Sequence, residues 1–154
     1  MRVLAIDPGT KMGWALGKSG SSEVLSGTWD LSLRRGDSLG MRYVYLRKKL
    51  TEILAAYPDL EMVITEQAHN RGGHATEVLN GLVTHVQSWC AEHNITKVTS
   101  VHSSTLKKSA TGKGNASKEE MIQTAIEKGW NPKDDNEADA LHILDYALHE
   151  VVDK

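Results

Sequence analysis

The stretch "RVLAIDPGTKMGWALGKSGSSEVLSGTWDL", residues 2–31, decides the fold. "RVLAID" is a short apolar run stopped by Pro8 and Gly9, and it reads as a buried strand. "GWALGK" (13–18) and "EVLSGTWDL" (23–31) read as two more strands, with "SGSS" as a hairpin turn between them. Strands joined this tightly form an antiparallel meander.

Downstream the period changes. Leu39, Tyr43, Leu46, Leu50, Leu54 and Tyr57 recur at helical spacing, predicting a helix over 38–57. "MVITE" is a fourth strand ending at Glu66, and "TKVTSV" a fifth. Between them a polar loop, "QAHNRGGH", leads into a helix over about 76–93. Its apolar stripe, from Val78 to Cys90, is broad enough to serve more than one neighbour. "SSTLKKSATGKGNASKEE" reads as a short helical piece, then a Lys/Gly-rich loop over 109–116, then a helix capped near Ser117. That helix stops before Pro132, and a last one starts at Asp134. Strand–helix alternation after a meander predicts one α/β domain spanning 1–154. Its expected core is a five-stranded mixed sheet, three strands antiparallel and the rest parallel, with helices on both faces.

Composition narrows the class. With 154 residues, 40% apolar and 25% charged, the chain suits a single soluble domain. No apolar run approaches the roughly 18 residues of a membrane span, and no signal peptide is recognisable. Cys90 stands alone, so no internal disulfide forms, which fits a reducing cytosol. The net charge of −2 hides an asymmetry. Residues 97–118 carry five lysines and no acid, while 119–154 carry ten acids against three lysines. A basic segment beside an acidic cluster suits a polyanion held near a cation site.

The acids that end strands or open helices are the candidates for chemistry. Asp7 closes the first strand, where Asp-Pro-Gly is also ordinary turn chemistry. Glu66 closes the fourth, where a glutamate is out of place. In "DDNEADAL" (134–141), Asp134 and Glu137 have the spacing of a capping box, and first-turn acids suit the helix dipole. Asp139 lies deeper, among Ala138, Ala140 and Leu141, and needs a partner. Asn136 and Asp135, three and four residues earlier, share its face. Like charges about 4 Å apart repel by about 4 kcal/mol at an effective dielectric near 20. A convergence of Asp7, Glu66 and Asp139 therefore calls for a hard divalent cation. Such a site suits two-metal phosphodiester hydrolysis, with the lysines on backbone phosphates.

The motifs "AIDPGT…GWAL", "ITEQ", "LKKSATGKGNASKEEM" and "EADAL" together resemble the RuvC family of Holliday junction resolvases, in the ribonuclease H-like superfamily. The resemblance implies a structure-selective endonuclease acting on four-way DNA junctions as a homodimer, with paired symmetric nicks. It assigns Asp7, Glu66 and Asp139 as metal-binding carboxylates, with Lys107 and Lys118 at basic positions near the site. Lys107 joins the catalytic set, and Lys108 and Lys113 are further candidates for DNA. The implied cofactor is Mg2+, two ions per site, with Mn2+ able to substitute. The helix at about 76–93 is similar to the family's dimer helix.

Two positions depart from the family pattern. Asn136 stands where relatives carry Asp or His, so it offers a neutral oxygen and cannot act as a base; Asp135 is the other candidate fourth ligand. His69 stands where relatives often carry a wedging aromatic, leaving His69, Asn70 and Arg71 as a loop candidate for the branch. These departures and the small size fit a phage-type member acting in a bacterial cytosol. Two alternatives remain open: a broader branched-DNA nuclease, or a catalytically inactive junction-binding protein. An actin-type ATPase, suggested by "DPGT", would need a second domain and a second phosphate loop, which the sequence lacks. Trp14, Trp29, Trp89 and Trp130 read as core residues, His142 as structural, and Arg34, Arg35, Arg42 and Lys48 as an extension of the phosphate track or, more readily, a solvated face.

Overall fold

The computed structural model describes residues 1–67 and 73–152. Three strands, β1 (Arg2–Asp7), β2 (Lys11–Lys18) and β3 (Val24–Asp30), form the expected antiparallel meander. β4 (Leu60–Glu66) pairs parallel with β1, and β5 (Lys97–Val101) pairs parallel with β4. The sheet order is β3-β2-β1-β4-β5. The parallel partners require crossovers, and the long helices supply them.

Alternation along the strands splits the core in two. Leu4, Ile6, Met12, Leu16 and Val63 pack on one face against α1 (Met41–Ala56) and α2 (Gly73–Glu92). Val3, Ala5, Ala15, Met62 and Ile64 pack on the other. That second face is covered by α3 (Ser103–Thr111), α4 (Lys118–Glu127) and α5 (Asp135–Tyr146).

Several boundaries differ from the sequence reading. α1 starts three residues late, at Met41, and Leu39 lies outside it and is exposed. The short helical piece after β5 is a nine-residue helix, capped by His102 and closed by Gly112 at φ 87°. The first three residues of the segment read as a loop, 109–111, therefore belong to α3. After α5 the chain continues in a π-helical turn, Ala147–Val152.

Trp29 and Trp89 are buried, with Trp14 and Trp130 partly buried against the two cores. His142 is structural: its Nε2 pairs with the Met121 carbonyl at 2.8 Å, joining α5 to α4. No helix among the described residues is long and apolar enough to cross a membrane.

Candidate metal and phosphate site

Register builds the site. β1 and β4 run parallel with Ala5 beside Ile64 and Ile6 beside Thr65, so the next step sets Asp7 beside Glu66. The period of two then turns both acids toward the face of Ala5, Met62 and Ile64, which α5 covers. α5 supplies Asp139. One carboxylate oxygen from each of Asp7, Glu66 and Asp139 lies within 4.8 Å of the other two.

α5 reaches this position because β2 lets it. A Cβ on Gly13 would fall 1.8 Å from the Asn136 carbonyl oxygen, so only glycine admits the first turn of the helix here. Two hydrogen-bonded pairs then hold that turn to β3. Thr28 donates to Asp134, the N-cap, at 2.9 Å, and Ser26 donates to Glu137 at 2.7 Å. Asp134 also accepts from the Glu137 backbone N–H at 2.8 Å. Glu137 does not complete a capping box. Its buried carboxylate accepts instead from the Lys133 N–H at 3.0 Å, one residue before the cap.

The three clustered acids lack such donors, and the protonation of Asp7 and Asp139 reflects it. Burial first, then the charges of Asp139 and Glu66, hold the Asp7 carboxyl well above the usual carboxylate range. Asp139 is pushed up to about 7, by burial and then by Glu66 and Asp135, with Lys107 and Lys118 pulling the other way. As bare carboxylates the three cannot all be charged at neutral pH. They are a hard-oxygen donor set short of positive charge, and a divalent cation fits that need.

The acids open into a cleft of about 590 Å3. Lys107 of α3 and Lys118 of α4 line it, as do Asp135 and Asn136. Lys118 lies 3.6 Å from Asp135 across exposed surface. Lys108 and Lys113 are not in its wall, and Lys113 pairs with Glu120 at 2.9 Å. His69, Asn70 and Arg71 lie outside the described residues. Gly13 and Glu137 went unread as site-building residues, although a glycine inside a strand signals close backbone approach.

No family model matches the chain. Curated relatives do: crossover junction endodeoxyribonuclease RuvC from two strains of Dehalococcoides mccartyi is 27% and 26% identical over 148 residues. These alignments cover 93% of this chain and 88% and 89% of the relatives. Among solved structures, Thermus thermophilus RuvC in complex with a Holliday junction substrate superposes with a TM-score of 0.76 at 22% identity, covering 93% of this chain and 90% of that one. A second Thermus thermophilus RuvC structure gives 0.75 at 23%, covering 97% and 95%. The fold is thus ribonuclease H-like, as expected. Along nearly its whole length the chain is similar in sequence to RuvC endodeoxyribonucleases and in fold to RuvC structures.

Proposed function

We propose that this chain is a structure-selective endonuclease that resolves four-way DNA junctions by metal-dependent phosphodiester hydrolysis, nicking symmetrically as a homodimer. The observation that carries the reading is the convergence of Asp7, Glu66 and Asp139 in a cleft whose wall holds Lys107 and Lys118. RuvC relatives, one of them solved with a Holliday junction, supply the substrate class.

Asp7, Glu66 and Asp139 would hold the cation, Mg2+ by the hardness of the donors, with Asn136 or Asp135 as the fourth protein ligand. A bound divalent ion supplies Lewis acidity toward the phosphate and toward the attacking water. Lys107, half-buried beside Asp139, contributes positive charge where the phosphate gains negative charge. Lys118, exposed at the rim, binds backbone phosphate, and its ion pair with Asp135 gives way to it. Asn136 can hold a ligand or a water but takes no proton, so base chemistry falls to the carboxylates or to solvent. For the dimer, α2 buries Val78, Leu82, Val86, Trp89 and Cys90 within the subunit and leaves Leu79 and Val83 half-exposed for a second copy.

The test uses a labelled four-way junction and a linear duplex, with and without Mg2+, alongside Asp7→Asn and Asp139→Asn. Paired nicks near the crossover, lost in both variants, are expected. Equal cutting of the linear duplex would make the protein a broader nuclease. Tight junction binding with no cut in Mg2+ or Mn2+ would make it an inactive binding module.

A further inference from the structure

The cleft has a second wall. Lys107 and Lys118 approach the carboxylates from the α3–α5 side of the sheet, whereas Arg42, in the first turn of α1, lines the same cleft from the α1–α2 side. Arg42 is half-buried, and its Nε is shut off from solvent without a hydrogen-bond partner. Among the described residues no carboxylate lies within ion-pair reach of it, whereas Arg2 is paired with Asp59 and Arg47 with Glu92. Arg34 rests over the Tyr45 ring. An arginine with a dry, unpartnered Nε favours the phosphate track over the solvated helix face, the two readings the sequence leaves for it. A buried donor is costly to leave unmade, and its guanidinium fork matches two phosphate oxygens in one plane.

We propose that Arg42 grips a backbone phosphate of the bound DNA strand from the wall opposite Lys107 and Lys118, so that the strand is clamped across the three carboxylates. The proposal rests on the nuclease reading above and adds a residue to it. Without Arg42, all the cationic side chains named in the cleft would stand on one side, and a strand could tilt away from the acids. A planar fork on the other side fixes its lateral position, which matters because misplacement of reacting atoms by about 1 Å can cost about a hundredfold in rate.

The experiment measures junction affinity in EDTA across a salt series, and single-turnover nicking in Mg2+, for Arg42→Gln, Arg42→Lys and the surface control Arg47→Gln. In parallel, the Arg42 Nε–H signal of the wild type is followed by NMR during titration with a thymidine pentanucleotide. Arg42→Gln is expected to weaken junction binding about tenfold and to lower the log–log salt slope by about one. Arg42→Lys should recover the slope but not the nicking rate, and Arg47→Gln should match wild type. The Arg42 signal should shift with the oligonucleotide. An unshifted signal, or a salt slope unchanged in Arg42→Gln, overturns the clamp even if junctions are nicked normally. If junctions are neither preferred nor nicked but the Arg42 signal still shifts, the clamp stands as a phosphodiester contact and the resolvase reading falls.

Discussion

Four acids open α5 within six residues, and they divide into two pairs with opposite surroundings. Asp134 and Glu137 face β3, where Thr28, Ser26 and two backbone N–H groups each find a carboxylate oxygen. Asp135 and Asp139 face the cleft, where their neighbours are Asp7, Glu66 and two lysines set further out. The first pair is satisfied and the second is frustrated. Local sequence sets Asp139 apart but does not separate Asp135 from Asp134 and Glu137, since those three suit a helix start; the donors across the chain do. An acid whose oxygens are all accounted for holds the fold, and an acid among like charges awaits a cation.

Asp139→Asn is the severest test of that division. Nicking should fall about a thousandfold or more, because a site short of one carboxylate holds the cation, and with it the positive charge at the reacting phosphate, less well. Melting of the metal-free protein should rise, because a repulsive charge is gone. Glu137→Ala should do the reverse to the fold, costing about 1–3 kcal/mol for donors left unpaired and lowering Tm by several degrees. Loss of stability in Asp139→Asn, or none in Glu137→Ala, would break the comparison.

Gly13→Ala comes next. Its new Cβ would overlap the Asn136 carbonyl, so α5 must lift from β2. A cost of about 1–3 kcal/mol is expected, with nicking reduced more than stability alone explains, because Asp139 moves with the helix. Thermal melts and single-turnover rates on one preparation separate the two effects.

Much of this site was legible in the sequence, and the limits are physical. Asp7 and Glu66 could be read because a strand ends abruptly at each, and alternation fixes which face they take. Asp139 stood out as a charge among alanines. Gly13 and Glu137 were not legible as site-builders because their partners lie more than a hundred residues away, on the far side of a sheet pairing. Arg42 is one of four cations that the sequence leaves between a phosphate track and a solvated face, and only the cleft it lines sets it apart. α3 runs on to Thr111 because nothing stops it before Gly112, whereas the Ser, Gly and Lys content of 109–116 taken as a whole reads as loop.

Acidity offers a finer measure of the frustrated pair. Asp139 in the folded, metal-free protein holds its proton up to about pH 7, against a usual value of 3.8. Between those two values the folded state binds protons that the unfolded chain has released. Stability in EDTA should therefore be fullest below about pH 4 with respect to this group and fall as pH rises toward 7. Asp7, raised for the same causes, adds to the slope. Calorimetric Tm measured from pH 4.5 to 7.5 should show the decline, flattened in Asp139→Asn and by excess Mg2+. A profile that rises through this range would mean the acids are already compensated.

The smallest effect concerns Asp135, the outer member of the frustrated pair, and its neighbour Asn136. Both line the cleft, but neither belongs to the three acids whose oxygens converge. If Asp135 is the fourth ligand, Asp135→Asn should raise the Mg2+ midpoint for nicking about tenfold, and Asn136→Asp should change it little. If Asn136 is the ligand, its conversion to Asp should lower the midpoint, since an added charge strengthens a hard-cation site. Lys118 complicates the first outcome, because it lies 3.6 Å from Asp135 and is left without that partner in Asp135→Asn. Adding Lys118→Gln to each variant removes that coupling: a midpoint shift that persists belongs to the metal, and one that vanishes belongs to the ion pair. An unchanged midpoint in all four proteins would place water at the fourth position.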